Sequence, residues 1–173
     1  TDVHQTFSVR EQALFAAAFD DSASRRIAVC SGGTAAPGGS ASCVGTATGS
    51  SAWSGASLRL HLAGAPGSAA SVRLAVGSDP QSPLATGSLD TLALMARGTG
   101  LVSLVLGFAS GDSTIVSAPY RILLQPTWAG FRTPLSALLP EGSDLAGVRW
   151  IAILSEEDSW IVLDELRILP RLR

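Results

Sequence analysis

The pattern that most constrains this chain is alternation. In SLRLHLAG, Leu58, Leu60 and Leu62 fall on one side of an extended backbone, with Arg59 and His61 on the other. SVRLAVG repeats the arrangement, with Val72, Leu74 and Val76 against Arg73. A period of two makes a strand with one buried face. LDTLALMARG, GLVSLVLGFAS, PYRILLQ, GVRWIAIL and SWIVLDELRIL read as further strands. Several are apolar on both faces, as strands central to stacked sheets are. Ala-Gly-Ala-Pro-Gly-Ser, Gly-Ser-Asp-Pro, Gly-Thr-Gly and Ser-Gly-Asp-Ser supply turn chemistry between the runs. Seven or more short strands punctuated in this way predict an all-β fold, a two-sheet antiparallel β-sandwich, in one domain over residues 1–173.

Two segments read differently. PLSALL predicts a helical turn with Pro134 at its first position and Pro140 closing it. VREQALFAAAF reads either as a helix or, from QALFAAAF, as a first strand leading to Asp20. Residues 31–52, rich in Gly, Ser, Ala and Thr, are expected to form a long surface loop, and residues 1–10 a mobile terminus.

The chain has 173 residues, enough for one substantial core. With 46% apolar and 15% charged residues it is too apolar for intrinsic disorder. A net charge of −2 argues against nucleic acid as a partner. Its cations are twelve arginines and no lysine, and the lack of asparagine excludes N-glycosylation. No run approaches the roughly 18 apolar residues of a spanning helix, so no membrane partner is expected. TDVHQTFSVR lacks the basic-then-apolar order of a signal peptide and reads as the start of a mature or excised chain.

Cys30 and Cys43 are spaced too widely for a CxxC redox pair and are too few for a closed zinc site. A disulfide between them would close a loop of small residues and stabilise it by about 3 kcal/mol. Two free thiols are the other reading. A bridge implies a secreted or periplasmic protein.

Catalytic constellations are sparse. The two histidines are His4, in the terminal segment, and His61. No GxSxG or HExxH occurs, and GGTAAPGGS lacks the lysine of a phosphate-cradling loop. Glu156 and Glu157 are adjacent, so on a strand they point to opposite faces, and they read as solvated loop charges. His61, Tyr120 and an arginine would be the makings of a polysaccharide lyase, although no spacing supports it. Asp164 alternates with Val162, Leu166 and Ile168, the face expected to be the core. An ionised carboxylate there needs a partner. With Asp20 and Asp21 it suggests a calcium site of carboxylate and carbonyl oxygens. The other reading is an edge position near solvent, or an ion pair to Arg25 or Arg26.

The C-terminal third, from Pro119 to Leu169, resembles a galactose-binding-like jelly roll, most like family 11 carbohydrate-binding modules and their relatives. The residues that carry the likeness are Trp128, Phe131, Pro134-Leu135 and Asp164-Glu165-Leu166. Arg97-Gly98 is similar to the group's strand ending in a basic residue and glycine, and Phe19-Asp20 to its early aromatic–acid pair, which often supplies calcium. The resemblance implies a non-catalytic module, a monomer or part of a larger chain, that tethers a secreted protein to a polysaccharide such as a β-glucan. Relatives with the same pattern include a mitochondrial complex I assembly factor, so a protein-interaction domain is the alternative and a lyase or hydrolase the third. Sugar modules of this fold bind on the concave sheet or at loop tips. The residues expected to bind carbohydrate are Trp53, Arg59, His61, Arg97 and Tyr120, with Arg73 a possible neighbour. Trp53 alternatively packs its loop onto the sandwich. Trp150 is expected in the core and Trp128 at the sandwich edge, while Trp160 is left open between core and surface.

Overall fold

The computed structural model describes residues 14–17, 28–29, 40–48, 56–76, 83–87, 90–140 and 147–171. Among these the chain forms strands β1 (Phe15–Ala17), β2 (Ala28–Val29), β3 (Ser40–Thr48), β4 (Ala56–Ala63), β5 (Ala70–Ala75) and β6 (Thr91–Thr99). They are followed by β7 (Leu101–Ser110), β8 (Ser113–Val116), β9 (Tyr120–Leu123), β10 (Ala129–Pro134), β11 (Val148–Ser155) and β12 (Asp158–Leu169). A 3-10 helix at Leu135–Ala137 is the turn that PLSALL predicts, with Pro134 as its N-cap.

The first sheet runs β10-β6-β12-β4-β3, and β1 adds to the far half of β12. The second runs β2-β5-β11-β7-β8, with β9 on β7. Every pair is antiparallel. The chain is thus an all-β, two-sheet sandwich with jelly-roll-like crossings between sheets. No helix among the described residues is long and apolar enough to cross a membrane.

Alternation places the core where the sequence puts it. Leu58, Leu60 and Leu62 of β4 meet Val72 and Leu74 of β5, Leu104 and Leu106 of β7, and Ile151 and Ile153 of β11 in one cluster. Burying each such side chain fully contributes roughly 1.5–3 kcal/mol. Leu135 plugs one end, where its N–H donates to the Asp90 carbonyl at 2.8 Å. The Asp90 carboxylate accepts from the N–H groups of Gly87 at 2.6 Å and Arg171 at 3.1 Å, so one side chain ties a loop and the chain end to β6.

Several expectations change. Residues 40–48, inside the segment read as a loop, form β3 and pair with β4; a backbone of small residues serves as an edge strand because the partner supplies the hydrogen bonds. Phe15–Ala17 are strand, which decides that part of the first ambiguous segment. Trp150 is not in the core. A bulge between Val148 and Trp150 sets these residues against Phe108 and Gly107 of β7, so Val148 stays inside while Trp150 turns out. Its indole lies over Gly107, and Arg73 stacks on it at 4.3 Å from the ring centroid. Arg73 therefore belongs to the second sheet, away from Arg59 and His61.

Asp164 changes face for the same physical reason. A bulge between Asp164 and Arg167, with Glu165 at φ 48°, shifts the phase of β12. Ile161 and Leu163 point inward before it, Leu166 and Ile168 after it, and all four are buried. Asp164 pairs with Met95 on the outer face, yet is fully buried there beside Ser57. Ser57 Oγ donates to its Oδ2 at 2.9 Å and the Glu165 N–H to its Oδ1 at 2.7 Å. Gly98 is needed nearby: its φ is 153°, and a Cβ would run into the Trp160 carbonyl oxygen.

Two substitutions test these points by urea denaturation. Gly98→Ala should lower stability by about 1–3 kcal/mol through strain and overpacking, and an unchanged midpoint would show that β6 and β12 are not so closely apposed. Asp164→Ala should cost about 2–3 kcal/mol by stranding the buried Ser57 hydroxyl and the Glu165 N–H, whereas wild-type stability would contradict the assigned bonds.

Candidate functional site

The outer face of the first sheet gathers polar and aromatic side chains that alternation excludes from the core. Register defines its rows. Trp160 of β12 lies between His61 of β4 and Thr99 of β6. One step along, Val162 lies between Arg59 and Arg97. Next, Asp164 lies beside Met95, which pairs with Gly130 of β10. Beyond the bulge, Ala93 lies between Arg167 of β12 and Arg132 of β10. Residues that bracket a central strand stand about 10 Å apart across it.

Trp160 is the aromatic centre of this face. The His61 ring stacks on the indole, with centroids 4.3 Å apart and planes at 13°. His61 Nε2 donates to Oδ1 of Asp158 at 2.5 Å, which holds the imidazole against the indole. Trp160 nevertheless remains 41% exposed. The result is an aromatic platform braced before any ligand arrives, which lowers the ordering cost of binding. Arg97 lies over the half-buried Trp128 ring at 5.5 Å, and Arg59 is exposed. Toward β10 the face deepens into a groove of about 410 Å³ lined by Ala93, Met95, Gly130, Arg132, Glu165 and Arg167. Gly130 and Ala93 leave the space, and Arg167 is held by its ion pair to Glu165.

The structure thus brings Arg59, His61 and Arg97 onto one face, a convergence that the sequence alone does not show. It does not bring Tyr120 there. Tyr120 is in β9 of the second sheet opposite Leu104, packs half-buried against the core, and donates a long hydrogen bond from its hydroxyl to the Arg132 carbonyl at 3.4 Å. A residue that follows a turn carries no mark of which sheet it will join, and β9 pairs with β7. His61 and Tyr120 share no cleft, which removes the pairing on which a lyase reading rested. Glu156 and Glu157 form the exposed two-residue connection between β11 and β12, where the Glu157 carboxylate accepts from the Leu101 N–H. Trp53, Asp20, Asp21 and Cys30 lie outside the described residues, and Cys43 is placed by its backbone alone, in β3 opposite Leu60. Among the described residues no group of three or more His, Cys, Asp or Glu side chains is arranged to hold a metal ion.

Sequence reasoning missed Asp158 and left Trp160 undecided. The signal was present: Trp160 and Val162 alternate against the inward Ile161 and Leu163, so the indole belonged outside. The outer face of the second sheet differs in character. Leu101 and Leu123, 41% and 63% exposed, sit opposite each other at its β9 edge.

No protein-family profile matches the sequence, and a search of curated proteins finds no match. Solved structures do match. The family 11 carbohydrate-binding module of the cellulosomal cellulase Lic26A-Cel5E of Clostridium thermocellum superposes with a TM-score of 0.64 at 13% identity, covering 81% of this chain and 87% of that one. A family 11 module of Clostridium thermocellum in complex with a β-1,3-1,4-mixed-linked tetrasaccharide gives 0.64 at 14% identity, covering 81% and 88%. The family 30 module of the Clostridium thermocellum cellulase Cel9D-Cel44B gives 0.57 at 10% identity, covering 79% and 93%. The chain has the β-sandwich fold of the family 11 and family 30 carbohydrate-binding modules.

Proposed function

We propose that the protein is a non-catalytic polysaccharide-binding module whose outer first-sheet face holds the glycan. One observation carries this reading: an exposed tryptophan, braced by a stacked and hydrogen-bonded histidine, lies beside a row with an arginine on either side of a valine. A pyranose presents an apolar face that stacks on an indole and a rim of hydroxyls that guanidinium groups bond. A β-glucan is the first ligand class to try, since a solved structure of this fold is a complex with a β-1,3-1,4-mixed-linked tetrasaccharide. The module would act by tethering a larger secreted or periplasmic protein and raising its local concentration at the polymer. A second reading, a protein-interaction domain, draws on the exposed Leu101–Leu123 pair of the other sheet.

Calcium belongs to this proposal as a structural ion. Asp164 is a buried carboxylate of the kind calcium takes, and Asp20 and Asp21 would complete the donor set. The ion would fix the N-terminal segment against β12.

Affinity electrophoresis tests the function. Lichenan or another soluble β-glucan should retard the protein, and Trp160→Ala should weaken binding about tenfold while leaving the fold intact. Equal retardation of the variant, with loss of binding on Leu123→Ser instead, would move the site to the second sheet. For calcium, EDTA should lower the thermal midpoint and added calcium restore it; an unchanged midpoint would remove the ion from the account.

A further inference from the structure

Arginines outnumber acids on this face. Arg59, Arg97, Arg132 and Arg167 occupy it in two rows, one pair bracketing Val162 and the other Ala93. The acids of the same face are already engaged. Asp158 binds His61, Asp164 accepts from Ser57 and the Glu165 N–H, and Glu165 pairs with Arg167. Arg59 and Arg132 are exposed and meet no carboxylate among the described residues. A protein with net charge −2 thus presents four of its twelve arginines on a surface that also carries an aromatic platform and a groove. A neutral glycan offers each guanidinium single bonds to hydroxyl oxygens. A carboxylate accepts two parallel N–H bonds from the same group, which is the pairing an arginine fork is built for.

We infer that the ligand is an acidic polysaccharide, one that carries carboxylates along its chain as a polyuronate does. This rests on the polysaccharide-binding reading above and names its substrate class. The sugar ring stacks at Trp160 and Val162, with a carboxylate at Arg59. The chain continues across β6 into the groove, where Arg132 takes a further carboxylate over the small floor of Ala93 and Gly130. Arg167, neutralised by Glu165, shapes the wall.

The experiment is affinity electrophoresis and titration calorimetry of the whole chain with polygalacturonate, alginate, a sulfated glycan and neutral lichenan, at low and high sodium chloride. The expected result is binding to a polyuronate about tenfold tighter than to lichenan, and a loss of that advantage at high salt. Arg59→Gln and Arg132→Gln should each weaken polyuronate binding about fivefold and lichenan binding less, so that the preference for the polyuronate shrinks, while Arg73→Gln on the other sheet changes neither. Lichenan bound as tightly as any polyuronate, or arginine variants without effect, would overturn the inference and leave the polysaccharide-binding module standing. Preference for the sulfated glycan would overturn the carboxylate assignment. No retardation by any polymer would overturn both.

Discussion

Two apolar sheet faces that must leave water determine the rest of this molecule. Leu60, Leu62, Leu92, Leu104, Leu106, Ile151, Ile153 and Ile161 are all fully buried between the sheets. Because side chains alternate, each inward residue obliges its neighbours to point outward. The outer face of the first sheet is therefore the other half of the same pattern. Arg59 and His61 lie outside because Leu58, Leu60 and Leu62 lie inside, and Arg97 because Leu94 and Ala96 do. Site and core are two readings of one periodicity.

The departures from that periodicity are where the surface acquires its particular shape. At Asp164–Glu165 the extra residue of a bulge lets β12 keep an apolar inner face along its whole length while turning an acid outward. The change of phase also lets β12 contribute to both ends of the proposed binding face, Trp160 and Val162 before the bulge and Arg167 after it. Gly98 permits the backbone of β6 to come against Trp160, which keeps Arg97 in the same row as Arg59. At Val148–Trp150 a bulge on the other sheet expels a tryptophan that continuous alternation would have buried.

Much of this was legible in the amino-acid order. The strands with strict alternation, β4 and β5, fall where the pattern sets them, and so do Arg59 and His61. What escaped has specific causes. Both bulges are written as inward residues three apart, Leu163 to Leu166 and Val148 to Ile151, a spacing that simple alternation misreads as continuity. Tyr120 was misassigned because a short run after a turn does not disclose which sheet it will join. β3 was read as loop because Ser, Ala, Gly and Thr give no apolar contrast; its strand state comes from pairing with β4, a tertiary effect. Strand order, which aligns His61 with Trp160 across 99 residues of chain, is of the same kind.

The proposed binding face is a braced aromatic platform with its arginine rows, all on one sheet. Amide chemical-shift mapping by heteronuclear NMR, with mixed-linkage glucan and galacturonate oligosaccharides as separate titrants, tests it. Shifts are expected at Arg59, His61, Arg97, Trp160 and Val162 with the ligand that binds, extending to Gly130 and Arg132 for the acidic one, with little change in β5, β7 and β11. Perturbations centred on Leu101 and Leu123 instead, or none with either oligosaccharide, would contradict it.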